Sequence, residues 1–460
     1  MRLSPATSDP SSAAVDADAF AAAMSGCGAD GVARLAVAVS GGVDSMALAL
    51  LAARWCAARN VPLTALIVDH GLRSNSAADA ADTAARLAAQ GIASQTLVWT
   101  DGPAVSGRSG SYETAARAAR YRLLLGWCRA QAVDHLALGH QADDQAETFL
   151  MRLARGSGLD GLASIAPASR RDGVTLIRPL LGFARARLIA TCAAARQGWV
   201  EDPDNTDARS QRVRFRVARD LLAREGLSAE RLVATVAHLA RAQAAIDREV
   251  GRLIRRACLW DDFGGVTMSA SRLFDAADEI RLRALAAVLS AVGGQTYGPR
   301  FAVLARAARD LCDHERVRRT VHGCLVARAG DTLSICREAA RIAMPVVLAP
   351  NSTLDWDGRF RLTWHVPDLA NLPPVCRVVP LSSEVWLAVK SLCADSPVAD
   401  IAAVLRRALP AICDDQGVVA VPHADVITQR ATNAGWRFGV TNLVPPAAIE
   451  RVGVFEIAPT

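Results

Sequence analysis

Ser40-Gly41-Gly42-Val43-Asp44-Ser45 places two glycines, two hydroxyls and a carboxylate in six consecutive residues. Glycine reaches backbone angles closed to other residues and lets main-chain N–H groups approach an anion, so the set suits a polyphosphate. A second group of acids follows at Asp143, Asp144 and Glu147. On a helix these carboxylates stand three and four residues apart and can face one cleft. Like charges so close call for a cation among them, either a metal ion or a substrate ammonium. The plainer alternative is that Asp143 and Asp144 serve only the N-terminus of a helix.

The loop is not a Walker A site, which needs a lysine on the β/γ-phosphates. Lys390 is the only lysine, and arginine supplies the rest of the 52 basic residues. Arg117 and Arg120, three apart on a predicted helix, are the cations available nearby.

These residues need elements to position them. Leu35 to Val39, Leu63 to Val68, Ser94 to Trp99 and His135 to Leu138 read as strands alternating with alanine-rich helices, one starting near Tyr112. Such alternation predicts a parallel α/β sheet covered on both faces, with ligands at the carboxyl ends of its strands. Ser40 to Ser45, Asp69-His70 and Gly139 to Asp144 all fall at those ends. From about Leu221 the pattern turns helical, with long helices over Leu232 to Cys258 and Ala276 to Val292. A short β element over Leu325 to Cys336, a linker around Pro345, Pro350 and Asn351, and a hairpin about Asp357-Gly358 follow. The expected organisation is a disordered extension (1–30), a nucleotide-binding domain (31–221), a mainly helical domain (222–340) and a small mixed α/β domain (341–460).

Composition narrows the classes. The chain has 460 residues, 51% of them hydrophobic, and no run long enough to span a membrane. Its N-terminus lacks the pattern of a secretion signal, and a cytoplasmic location is expected. Eleven cysteines without a Cys-x-x-Cys pair suggest neither a disulfide framework nor a zinc or iron–sulfur site. Between Asp207 and Arg256 twelve arginines face six acids, a surplus equal to the net charge of +6. That surplus suits a polyanionic partner or a solvated helix face.

The loop resembles the pyrophosphatase loop of the PP-loop ATP-pyrophosphatase superfamily. Val68-Asp69-His70-Gly71-Leu72-Arg73, Ala116 to Tyr121, Gly139 to Thr148, Arg155 to Leu162, Arg178-Pro179-Leu180-Leu181 and Glu201 to Asn205 resemble successive blocks of tRNA(Ile)-lysidine synthetases. The resemblance implies a ligase that uses ATP to adenylate the wobble cytidine of an isoleucine tRNA with anticodon CAU and joins free L-lysine to it, shifting decoding from AUG to AUA. By that resemblance Ser40, Gly41, Gly42, Val43, Asp44, Ser45, Asp69 and His70 bind ATP, and Asp44 holds Mg2+. Asp143 and Glu147 take the lysine, Arg117 and Arg120 serve catalysis at the phosphates, and Arg212, Arg214 and Arg216 touch tRNA. A homodimer is compatible with it. Gln141 and Val213 depart from the family pattern, which usually has histidine and asparagine there. The alternatives are another PP-loop tRNA-modifying enzyme, such as a thiolase, or a tRNA-binding relative without catalysis.

Overall fold

Strand β1 (Leu35–Val39) is buried at all five positions, as expected of a strand covered on both faces. Leu35, Val37 and Val39 enter one core, and Ala36 and Ala38 enter another, the alternation of side chains along a strand. The computed structural model describes residues 13–71, 75–100, 109–200, 211–342, 345–367 and 375–443. The chain divides into two compact units, Met1–Ala240 and Arg241–Thr460.

In the first unit β1 joins β2 (Leu63–Asp69), β3 (Ser94–Val98), β4 (His135–Ala137), β5 (Ala168–Arg171) and β6 (Val174–Ile177) in the order β3-β2-β1-β4-β6-β5. All neighbours are parallel except β5 and β6. The chain moves from β1 toward β2 on one side, while β4 returns on the other. A crevice therefore opens between the carboxyl ends of β1 and β4, the usual ligand position of an open α/β sheet.

The helices are α1 (Ala17–Gly26), α2 (Val43–Ala57), α3 (Ser76–Ala88), α4 (Ser109–Ala130), α5 (Ala142–Ala154), α6 (Leu159–Leu162), α7 (Arg185–Ala194), α8 (Gln211–Val217), α9 (Arg219–Arg224) and α10 (Ala229–Ala257). Helices α1, α2 and α7 share the core that takes Leu35, and α4 covers the opposite face. Alanines at 47, 49 and 52 are fully buried, small enough to let α2 lie close to the sheet.

Three expectations change. Residues 17–30 do not form a disordered extension: Asp16 caps α1, and Phe20 and Met24 are buried in the core, each worth about 1.5–3 kcal/mol of transfer free energy. The β5–β6 hairpin, turning at Asp172 and Gly173 with φ of 48° and 84°, was not anticipated. Residues 222–340, though mostly helix, hold more strand than the short β element expected at Leu325 to Cys336. Alongside α11 (Ala270–Phe274), α12 (Asp278–Gly293) and α13 (Phe301–Asp313), β7 (Cys258–Trp260), β8 (Val266–Ser269), β9 (Arg316–Val321), β10 (Cys324–Ala329) and β11 (Thr332–Arg337) form a five-stranded antiparallel sheet.

The expected linker at Pro345 to Asn351 contains β12 (Val346–Leu348), which pairs with β15 (Cys376–Pro380). β16 (Pro410–Asp414), β17 (Gly417–Val421) and β18 (Val426–Ile427) complete that sheet. The predicted hairpin is present as β13 (Ser352–Trp356) and β14 (Phe360–His365), with β19 (Arg437–Asn442) paired to β14. Asp357 at its turn binds two buried arginines, Arg337 at 2.7 and 2.9 Å and Arg359 at 2.7 Å.

Candidate active site

The turn after β1 is built for an anion. Gly41 has φ of +85°, a conformation strained for any side chain. A Cβ there would also stand 2.7 Å from Thr83 Oγ1. The carbonyl of Gly41 accepts the Val200 N–H at 2.9 Å, so the loop is held from outside as well as from within. Gly42 caps α2 without any side-chain hydrogen bond, leaving the first-turn N–H groups to face a ligand. Val43 is buried in the core, so its N–H is the part suited to a phosphate.

Ser45 proves internal to the loop. Its hydroxyl donates to Gly42 O at 2.9 Å and accepts the Ser40 N–H at 3.1 Å, with Ser40 Oγ 3.3 Å away. The loop after β4 presses against the same turn. A Cβ on Gly139 would lie 3.2 Å from both N and Cα of Ser45, which explains glycine there.

Asp44 is the charged centre of the crevice. Its Oδ2 lies 3.5 Å from Arg185 Nη1, and its Oδ1 is buried without a hydrogen-bond partner. Burial pushes the carboxyl up to about 6; Arg185 and Arg216 oppose the rise, while Asp144 and Asp143 add to it. Residues of α2, α5, α7 and α8 thus share one electrostatic field.

Helix α5 uses its acids in three ways. Gln141, at the position that departs from the family pattern, caps the helix: its Oε1 accepts the Asp143 N–H at 2.6 Å. Its own N–H donates to Asp144 Oδ2 at 3.1 Å, so Asp144 serves the cap rather than joining the other two acids as a ligand. Glu147, only 5% exposed, accepts from Arg216 Nε at 2.8 Å and Nη2 at 3.2 Å. Arg216, expected on tRNA, thus turns its guanidinium onto Glu147, expected on lysine. Asp143, Glu147 and Arg216 line a cleft whose other walls include Leu150, Phe215 and Leu232.

At the end of β2, Asp69 Oδ1 accepts Ser76 Oγ at 2.7 Å and the Gly71 N–H at 3.0 Å. Those bonds hold the carboxyl below the usual range and build the turn toward α3. His70 is half-buried with Nδ1 unpartnered. Burial, then Arg120, lowers its pKa, which keeps the ring neutral. Arg120 is thus close enough to His70 for its charge to act there, whereas Arg117 is exposed over Tyr121, 5.5 Å from the ring centroid. Arg214 is exposed, and the side chains of Arg212 and Val213 lie outside the described residues.

Residues 16–224 match the PP-loop domain family. The tRNA(Ile)-lysidine synthase of Ruegeria pomeroyi is 41% identical over 336 residues, covering 72% of this chain and 76% of its own. This chain belongs to the tRNA(Ile)-lysidine synthase family. The Bradyrhizobium diazoefficiens member is 37% identical over 338 residues, 67% of this chain and 90% of its own. Among solved structures, the U34-tRNA thiolase NcsA of Methanococcus maripaludis aligns with a TM-score of 0.41 and 19% identity over 48% of this chain and 77% of that one.

Arg185, Thr83 and Val200, which touch Asp44 and Gly41, are residues around the loop that the sequence did not single out. The cysteine nearest the site is not a nucleophile: Cys192 donates to Val43 O, and burial pushes its thiol up to about 11. No described helix is long and apolar enough to cross a membrane.

Proposed function

We propose that this chain activates the wobble cytidine of a CAU-anticodon tRNA(Ile) with ATP and joins lysine to it, forming lysidine. The observation that carries the reading is Asp44, with a buried, unpartnered Oδ1, at the start of a helix whose first turn no side chain caps. The uncapped N–H groups of Val43, Asp44 and Ser45 bind the phosphates of ATP. The cytosine C2 oxygen attacks the α-phosphorus and pyrophosphate leaves. The lysine ε-amine then attacks C2, loses a proton, and AMP departs.

Asp44 suits Mg2+. No three His, Cys, Asp or Glu side chains form a metal cage among the described residues, and Mg2+ is commonly held by one or two carboxylates together with substrate phosphates and waters. When bound, the ion neutralises charge on the departing pyrophosphate. Arg120 adds positive charge from the β2 side, beside a neutral His70. Lysine enters the cleft beside α5. Asp143, Glu147 and Arg216 together carry a charge of −1, suited to an ammonium, and Asp143 accepts the proton lost by the attacking amine. Arg216 positions Glu147.

The test is incorporation of labelled lysine into CAU-anticodon tRNA(Ile), with and without ATP and Mg2+, beside the same tRNA carrying uridine at the wobble position. Label that requires ATP, Mg2+ and the cytidine is expected. Tight tRNA binding by folded protein without incorporation would overturn the assignment.

A further inference from the structure

The PP-loop reaction leaves three arginines gathered on one tyrosine, with Arg120 beside them, without an explanation. Tyr121, on α4, is 8% exposed. Arg171, on the β5–β6 hairpin, stands 4.7 Å from its ring centroid and Arg117 stands 5.5 Å from it. Arg178, after β6, is near enough to Tyr121 for the two to interact electrostatically. It also reaches Ala166 O at 2.9 Å and Ser169 Oγ at 3.1 Å, and its Nε is buried without a partner. Arg120 is close enough to Arg117 for the two charges to oppose each other.

None of the four arginines pairs with a carboxylate among the described residues. Cation–π contact returns only about 0.5–1 kcal/mol at an exposed site, so the gathered charge is left largely uncompensated. A polyanion would supply the counter-charge. ATP alone is too small for the whole set. Arg120 belongs to the rim beside His70, but Arg171 pairs in register with Val174 at the amino end of β6, the end of the parallel sheet remote from that rim. Guanidiniums stacked on an aromatic ring keep their N–H edges free for phosphate oxygens, and a series of them matches the repeating charge of a nucleic-acid backbone.

We propose that Arg117, Arg171 and Arg178, assembled on Tyr121, form a phosphodiester-binding track for the RNA substrate that leads to the nucleotide rim. This rests on the tRNA reading above for the identity of the RNA. It moves Arg117 from the ATP phosphates to the RNA, leaving Arg120 with the nucleotide.

The experiment uses the full chain with Arg171→Ala, Arg171→Glu and Arg171→Lys, after thermal melts show that each folds. Affinity for CAU-anticodon tRNA(Ile) is measured across a salt series, with the KM for ATP measured separately. We expect Arg171→Ala to weaken tRNA binding by about 3- to 10-fold and to flatten the slope of log K against log salt by about 1. Arg171→Glu should weaken it further, Arg171→Lys should restore the slope, and ATP KM should not move. Unchanged tRNA affinity and slope would overturn the track, as would a raised ATP KM with unchanged tRNA binding. Failure of the lysidine reading is seen separately, as wild-type protein that incorporates no lysine whatever its RNA affinity.

Discussion

Two aspartates beside arginines show what separates a site from a scaffold. Asp357, in the second unit, accepts from both Arg337 and Arg359, all three side chains being at most 6% exposed. Asp44, in the first unit, meets one half-exposed guanidinium at 3.5 Å and keeps Oδ1 bare. Saturated carboxylates fix a structure, because every lone pair already has a use. An unsaturated one holds binding capacity in reserve, at the expense of a raised pKa.

The contrast predicts opposite outcomes for similar mutations. Asp357→Ala strands two buried guanidiniums and should destabilise the protein by about 3–5 kcal/mol, read as a lowered denaturation midpoint; a loss under about 1 kcal/mol would show that the network is not structural. Asp44→Asn should leave the fold intact while lowering lysidine formation about 100- to 1000-fold, roughly 3–4 kcal/mol in the barrier. A folded, fully active Asp44→Asn variant would sink the mechanism. Arg216→Ala frees Glu147 from its bidentate partner, and we expect lysine KM to rise about tenfold, roughly 1.4 kcal/mol, with ATP KM little changed. If ATP KM rises instead, Arg216 serves the nucleotide.

The same contrast governs what could be read from the sequence. β1, β2 and β4 were legible because each is an apolar run stopped by glycine or a polar residue. The site loops follow from that, since ligand groups gather where parallel strands end. The β5–β6 hairpin was hidden because Ala168-Ser169-Arg170-Arg171 is largely exposed and shows no apolar alternation. Its Asp172-Gly173 turn carries the same dipeptide signal as Asp357-Gly358. β9 was masked similarly by Arg316, Arg318 and Arg319, which line an exposed edge.

Within the site, Asp44, Asp143 and Glu147 announced themselves by local spacing. The Glu147–Arg216 pair did not, because its members are 69 residues apart and only tertiary folding joins them. Gln141 looked like a lost titrating group. As a helix cap hydrogen-bonded to Asp143 and exchanging a bond with Asp144, it is fully explained without titration.

Acid separates the two regions most finely, with the smallest expected effect. Asp44 titrates near 6 when folded against 3.8 for a free carboxylate. Between those values the folded state binds the extra proton, so this group adds stability as pH falls through 6. His423, in the second unit, packs edge-on to Phe360 at 4.6 Å, and burial followed by Arg359 lowers its pKa from 6.5 to about 4. There the unfolded state protonates first, so stability is present above 6.5 and is lost as pH falls toward 4. Asp44→Asn should therefore exceed wild type in stability at pH 7, with the gap closing as pH falls through Asp44's folded value. His423→Leu should gain on wild type over the interval between the two histidine values. Melting both variants across pH 4 to 7.5 decides the matter: gaps that do not change with pH would mean that neither group carries the burial energy assigned to it, and gaps that move in the same direction as pH falls would remove the contrast between a reserved charge and a packed one.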